Sequence, residues 1–354
     1  MKQDITSAPL ISKQWTVAAR PKTDLDHRHF AYTETDVNPP QSGEVLLRTH
    51  YLNVAPVMRM YMMESGGATN SPEAPLRLGD VIHGRGVAEV IASKHADFKT
   101  GDFVHGQIGW QTHKITTATP QERFIKMRAR SLPAHFGLSA LGMTGYSAYC
   151  GFVSRAQPLA NDAVLISGAA GGVGSLVVQI AKALGCSPII GIAGGQKKCQ
   201  LVTDLGADAV IDYKADDVAE RIKYHFPNGI DIYFDNVGGI ILEAALDNLA
   251  YAARVVLCGS ISEYASEDPF GPRNYTKLRS SNSDMKGFFV YNHQNEFKQA
   301  ESSMADWIQQ GKLRALIDIT DGFEHMPDAL IGLYTGKNKG KQIVRVTPGE
   351  DAMY

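Results

Sequence analysis

Residues 163–184, AVLISGAAGGVGSLVVQIAKAL, constrain this 354-residue chain more than any other stretch. Residues 163–167 are a short run of apolar, branched side chains, the pattern of a buried strand. Residues 168–174 are a glycine-rich turn, and residues 175–184 have helical spacing. Val177, Ile180, Ala181 and Leu184 share one face at i, i+3, i+4 and i+7. Residues 169–174, AAGGVG, follow G-x-G-x-x-G with alanine in the first place. Strand, turn and helix stand in the order a dinucleotide-binding unit requires. Gly171 lets backbone approach a pyrophosphate and Gly174 lets helix pack on strand. The first N–H groups of the helix then hold the phosphates. A tight turn without a ligand would show the same glycines, and the two flanks favour the nucleotide.

The remaining chain repeats the unit. Residues 188–193 (PIIGIA), 209–213 (AVIDY), 230–237 (IDIYFDNV) and 253–259 (ARVVLCG) read as strands. Helices are expected over 197–205, 216–226 and 240–249, with a sixth strand at 286–291, KGFFVY. This alternation predicts a doubly wound parallel sheet with helices on both faces and ligands at the strands' carboxyl ends. Asn236, Cys258 and Ser260 stand at such ends. After the second strand an acid would bond an NAD ribose. Here Gly194 and Gly195 leave space and Lys197 and Lys198 bring positive charge, which suits the 2′-phosphate of NADP. Lysines opening a helix oppose its dipole, so a merely solvated pair is disfavoured.

Residues 13–19, 30–35, 44–52, 81–93 and 101–108 carry β signals between turn residues, which predicts a small barrel-like β domain. A short helix starts at Ala55-Pro56, residues 64–75 read as a loop, and residues 137–149 as a helix passing between domains. Glycines at 142 and 145 in that helix point to close approach by another group. Residues 294–313 read as an amphipathic helix. Strands at 315–320 and 342–346 and a helix at 327–334 return to the first domain. The domain limits are therefore 1–137 with 315–354, and 138–314. Residues 263–284 are long and polar enough for a binding loop or a lid.

His83, His95, His105 and His113 show no metal-ligand spacing, and Cys150, Cys186, Cys199 and Cys258 form no CxxC pair. No metal is expected, and the cysteines suit a reducing, cytoplasmic compartment. A net charge of -2 gives no field for nucleic acid or an anionic membrane, and no apolar run has membrane-span length. The first fifteen residues lack the apolar core of a secretory signal.

The ordered set LNVAPVMRMYM (52–62), LGMTGYSAY (141–149), GAAGGVGSLVVQIAKALGC (168–186), GIAGGQKKCQLV (191–202), GADAVIDYK (206–214), IDIYFDNVGG (230–239), CGSISEY (258–264) and GKNKGKQIVRV (336–346) spans nearly the whole chain. It resembles the zinc-independent medium-chain dehydrogenase/reductases, in the prostaglandin, leukotriene B4, 2-alkenal and curcumin reductase branch. The resemblance implies a GroES-like β-barrel substrate domain beside a Rossmann domain. It implies NADPH-dependent reduction of a C=C bond conjugated to a carbonyl, in a homodimer joined at the edge of the sixth strand.

By the same resemblance Lys198 and Tyr213 contact the 2′-phosphate, and Asn338 reaches the cofactor from the substrate domain. Met143, Gly172 and Val173 line phosphates and ribose. Asn53, Gly171, Gly174, Gly194 and Asn236 complete the cofactor set. Cys258, Ser260, Phe289 and Val290 flank the nicotinamide. Tyr61 and Tyr264 face an enal or enone substrate. Tyr264, with the nicotinamide ribose hydroxyl, would stabilise the enolate. Thr144, Tyr146, Ala265 and the run 53–57 depart from the branch's usual residues, which bears on the substrate more than on the reaction. An NADPH quinone reductase, and a non-catalytic NADPH-binding sensor or structural protein, remain open at this point.

Overall fold

β1 (Leu10–Val17) and β2 (Phe30–Val37) pair antiparallel from Leu10 with Val37 to Val17 with Phe30. β3 (Val45–Asn53) is the strand expected at 44–52, and Pro56 precedes α1 (Val57–Met62). β4 (Arg85–Ser93), β5 (Phe103–Gln107), β6 (His113–Thr116) and β7 (Ile125–Lys126) follow. The computed structural model describes residues 10–22, 24–63, 75–127, 132–263, 271–336, 338 and 340–347. The expected loop at 64–75 lies outside them except for its last residue. Two units form: Met1–Leu138 with Ile319–Lys337 and Gln342–Tyr354, and Ser139–Asp318 with Asn338–Lys341.

The expected helix at 137–149 is displaced. A 3-10 turn covers Ala134–Leu138, and α2 (Met143–Ala148) starts only after Gly142, then runs into a π-helical segment, Tyr149–Ala156. A Cβ on Gly145 would lie 1.8 Å from Ala140 O, so the close approach is to the chain's own backbone.

β8 (Val164–Ile166), α3 (Gly172–Ala183), β9 (Ile189–Ala193), α4 (Gln196–Asp204), β10 (Ala209–Asp212), α5 (Val218–His225), β11 (Ile230–Asp235), α6 (Gly239–Leu246) and β12 (Leu249–Leu257) alternate as the sequence predicts. α7 (Lys277–Ser280), β13 (Asp284–Gly287) and α8 (Phe297–Gln309) complete the unit. The sheet runs β10-β9-β8-β11-β12-β13, all parallel, the order of a Rossmann sheet. Leu165, Ile190, Ile192, Ile211 and Tyr233 fill its core.

The sixth strand needs correction. It is DMKG, and of KGFFVY only Lys286 and Gly287 belong to it. Phe288 turns back, filling the space a Cβ on Gly151 would take, and a 3-10 turn begins at Val290. β13 is still the edge strand, as expected, but a polar one.

β14 (Ile317–Asp321), α9 (Met326–Tyr334) and β15 (Lys341–Arg345) close the chain. The other sheet runs β14-β15-β3-β4-β5-β7, with β6 on β3. Its core holds Leu47, Leu52, Met62, Ile82, Ile108, Trp110 and Val344. No helix among the described residues is long and apolar enough to cross a membrane.

Candidate cofactor site

The site starts where β8 ends. Gly168 takes φ 59°, and its carbonyl turns back under the helix. A Cβ on Gly174 would come 2.3 Å from Gly168 O and 2.9 Å from Ala169 Cα, so only glycine lets α3 approach this closely. A Cβ on Gly171 would meet only Gly168 O, at 3.1 Å, which leaves its other side open. Gly171 is the N-cap of α3 and no side chain caps the helix. The first N–H groups of α3 and its positive dipole end are thus available to an anion. Val173 is half-buried in that first turn, beside Gly172. Met143 opens α2, where its carbonyl accepts from Ser147 Oγ at 2.8 Å.

The second station is the carboxyl end of β9. The Tyr213 ring covers Gly194: a Cβ there would lie 2.6 Å from Cε1 and 2.8 Å from Oη. Gly195, with φ 86°, caps α4 and has open space around it. The acid nearby, Asp212, is engaged by backbone, accepting from Gly195 N at 2.8 Å and Lys214 N at 3.0 Å. Lys198 is half-buried and Lys197 exposed. Burial first, then the charge of Lys214, pull the Lys198 amine below its usual range, while Asp318 opposes them. Two ammonium groups and a phenol thus share one strand end, a fitting receptor for a phosphate dianion. The sequence reading overlooked Lys214; its signal was the Tyr213-Lys214 pair at the end of the third strand.

The third station is the end of β11, at the sheet's switch point. Asp235 is 1% exposed. Its Oδ1 accepts from Ser167 Oγ and Tyr233 Oη at 2.7 Å each, from Val237 N at 2.9 Å and from Gly238 N at 3.1 Å. Asn236 is tied to the same residue, its N donating to Ser167 Oγ at 2.8 Å and its Nδ2 to Ser167 O at 2.7 Å. Cys258 N donates to Asp235 O at 2.8 Å. Burial and then the Asp235 charge push the Cys258 thiol up to about 12, so it is a neutral wall and no nucleophile. Ser260 packs at Gly238, where a Cβ would meet its Cβ at 3.2 Å. Asp235 as the hub of this end was not foreseen from sequence.

Phe289 lies 5.1 Å from Tyr291, ring to ring, and its carbonyl accepts from Asn292 N. Val290 begins the following turn. Asn338 Nδ2 donates to Gly340 O at 2.8 Å. In the other unit Asn53 ends β3, opposite Ile343, with its Oδ1 buried and without a hydrogen-bond partner among the described residues. Tyr61 is core there, 8% exposed and edge-on to His83 at 5.6 Å. Tyr264 and residues 265–270 of the expected binding loop lie outside the described residues. Among the described residues, no group of three or more His, Cys, Asp or Glu is placed to hold a metal ion. The uncapped α3, the glycine floor under Tyr213 and the paired lysines fit a phosphorylated dinucleotide.

Residues 13–124 match the family described as N-terminal domain of oxidoreductase, and residues 172–306 the one described as zinc-binding dehydrogenase. The NADPH-dependent curcumin reductase of Escherichia coli is 37% identical over 96% of this chain and 98% of its own. The NADP(+)-dependent 2-alkenal reductase of Nicotiana tabacum is 34% identical over 98% of this chain and 99% of its own. The crystal structure of CurA from Vibrio vulnificus in complex with NADPH superposes with a TM-score of 0.87 at 37% identity, covering 95% of this chain and all of the other. Both parts of the fold, the GroES-like and the Rossmann, are shared with it.

Proposed function

Since the chain belongs to the medium-chain dehydrogenase/reductase family, in the branch of the curcumin, 2-alkenal and prostaglandin reductases, we propose that it reduces carbonyl-conjugated C=C bonds of enals and enones with NADPH. The observation that carries the cofactor choice is the end of β9, where Tyr213 covers Gly194 and the charge of Lys214 acts on the half-buried Lys198. The relatives' printed activities, NADPH-dependent reduction of curcumin and NADP(+)-dependent reduction of 2-alkenals, support the reaction class.

NADPH, when bound, supplies a hydride to the β carbon. The α3 N-terminus and Gly171 hold the pyrophosphate, and Lys198 and Tyr213 hold the 2′-phosphate. Asp235 keeps Asn236 and the Gly238-Gly239 turn in place, and Cys258 and Ser260 flank the nicotinamide. As hydride arrives, charge grows on the substrate's carbonyl oxygen. A donor aimed at it is worth about 3–4 kcal/mol. Tyr264 is assigned that role. The reaction so written uses no metal, so chelation leaves it intact.

The experiment is Tyr264→Phe, assayed by NADPH oxidation with enals, enones and quinones. If the hydroxyl acts in the transition state, kcat and kcat/KM fall together while NADPH affinity holds. A change under about twofold in both would refute the assignment. Faster turnover of quinones than of enals would favour the quinone reductase instead.

A further inference from the structure

The turn that follows β13 is too short to hold itself. Val290–Glu296 is 3-10, a geometry with poor hydrogen bonds, and His293 breaks it with φ -117° and ψ 30°. Two anchors on the π-helical segment Tyr149–Ala156 fix it from outside. The first is a socket. A Cβ on Gly151 would lie 2.7 Å from Cε1 and Cζ of Phe288 and 2.8 Å from Phe234 Cε2. The Phe288 ring is thus seated on the bare backbone of the segment, beside the fully buried Phe234 of β11. The second anchor is a charged clamp, four residues on from Gly151. Arg155 Nη2 donates to Glu296 Oε1. It also lies 3.2 Å from His293 Nδ1, which is 3.3 Å from the same carboxylate oxygen. Burial works against the Glu296 charge, but the hydrogen bond of Ser154 and then the charges of Arg155 and His293 hold its carboxyl below the usual range. The clamp is therefore an ion pair at neutral pH, and charge-assisted bonds are the strong, directional ones.

Phe289 and Val290 stand between the anchors, with Phe288 pinned before them and His293 and Glu296 after them. We propose that Arg155 is a positioning residue for hydride transfer: with Gly151 as the socket for Phe288, it sets the place of Phe289 and Val290 against the nicotinamide. Arg155 acts through Glu296 and His293. The inference rests on the reading that Phe289 and Val290 flank the nicotinamide. A ring held by a misplaced wall swings away from the reacting carbon, and a shift of about 1 Å can cost on the order of a hundredfold in rate. The phosphates belong to other strand ends, those of β8 and β9, so the adenosine half of the cofactor is indifferent to the clamp.

The test compares wild type with Arg155→Met and Gly151→Ala. Gly151→Ala leaves the ion pair intact, so it stays informative if Arg155→Met, which strands the Glu296 charge, fails to fold. Three quantities are measured: the emission of bound NADPH, the affinity for 2′,5′-ADP, which has no nicotinamide, and kcat and KM with crotonaldehyde. Both variants should keep the affinity for 2′,5′-ADP, move the NADPH emission toward that of the free cofactor, and lose about tenfold or more in kcat with KM little changed. Wild-type emission and kcat in the folded variants would overturn the role of Arg155. Weakened 2′,5′-ADP binding in step with NADPH would overturn it too, since general damage to the unit would then explain the loss. Val290→Gly separates the premise: if it leaves the NADPH emission unchanged, the turn does not flank the nicotinamide, and the inference falls with that reading. A wild type that binds NADPH but reduces no enal counts against the proposed reaction, and the emission and 2′,5′-ADP arms still decide the clamp.

Discussion

Asp235→Asn is the sharpest probe of how the switch-point end is held. Four donors converge on Oδ1, and Gly238 N is also 3.1 Å from Oδ2. An amide keeps the acceptor oxygen but removes the charge. A hydrogen bond to a charged acceptor is worth about 1.5–3 kcal/mol and a neutral one about 0.5–1.5, so each bond weakens by roughly 1 kcal/mol. The amide nitrogen also faces the Gly238 N–H, donor against donor. Relief of a buried charge offsets part of this, and bonds sharing one acceptor do not add. The net expectation is on the order of 2–3 kcal/mol of lost stability, read as a lower urea midpoint. Tyr233→Phe, which removes one donor and leaves the carboxylate, should cost about 1.5–3 kcal/mol, the worth of one bond to a charged acceptor, and should leave Cys258 labelling unchanged. A second readout is independent of unfolding. Loss of the Asp235 charge lowers the Cys258 pKa from about 12, so alkylation of Cys258 at pH 9, followed by peptide mass, should speed up. An unchanged midpoint together with unchanged Cys258 labelling would refute the account of Asp235 as a charged hub.

Lys198→Ala should weaken NADPH binding roughly tenfold or more and leave NADH nearly unaffected, and equal losses for both would remove Lys198 from the 2′-phosphate site. His105 is 3% exposed and 3.4 Å from the Arg85 guanidinium; burial first, then that charge, depress it to about 3. The unfolded chain therefore binds a proton that the folded one does not between about pH 6.5 and 3. Stability is full above that window and falls on acidification at up to about 1.4 kcal/mol per pH unit; His105→Gln should flatten this slope, and an unchanged slope would count against it. We also propose that the chain dimerises through the β13 edge, whose outer N–H and C=O groups no strand among the described residues covers. A monomeric mass by light scattering at micromolar concentration would contradict this.

The repeating unit was legible because it is local. A buried strand is a run of branched side chains, a helix repeats every 3.6 residues, and a glycine turn stands between them. Hence β8 to β12 and α3 to α6 fall where the periods put them. Lys198 stands out in the sequence because no acid follows Gly195, and its place at the 2′-phosphate is a proposal. KGFFVY misled, because its apolar residues imitate a strand while Phe288 is needed to fill the space at Gly151. The late start of α2 was hidden for a similar reason: the backbone of Ala140 crosses Gly145, a contact that no periodicity announces.

By itself, then, the sequence determined the order of strands and helices, the glycine turn and the side chains available to a phosphorylated dinucleotide. Those follow from residue type and spacing within about twenty positions of each other. What only the tertiary structure decided is which distant groups meet. Asp235 collects Ser167 from another strand, 68 residues away, because β8 and β11 are neighbours in the sheet. Lys214 charges the pocket of Lys198 because β10 lies beside β9. Arg155 meets Glu296 because the turn after β13 folds back onto the π-helical segment, with Phe288 on Gly151. Burial and partner charge, which set whether such a group is charged, depend on that assembly and have no local signature.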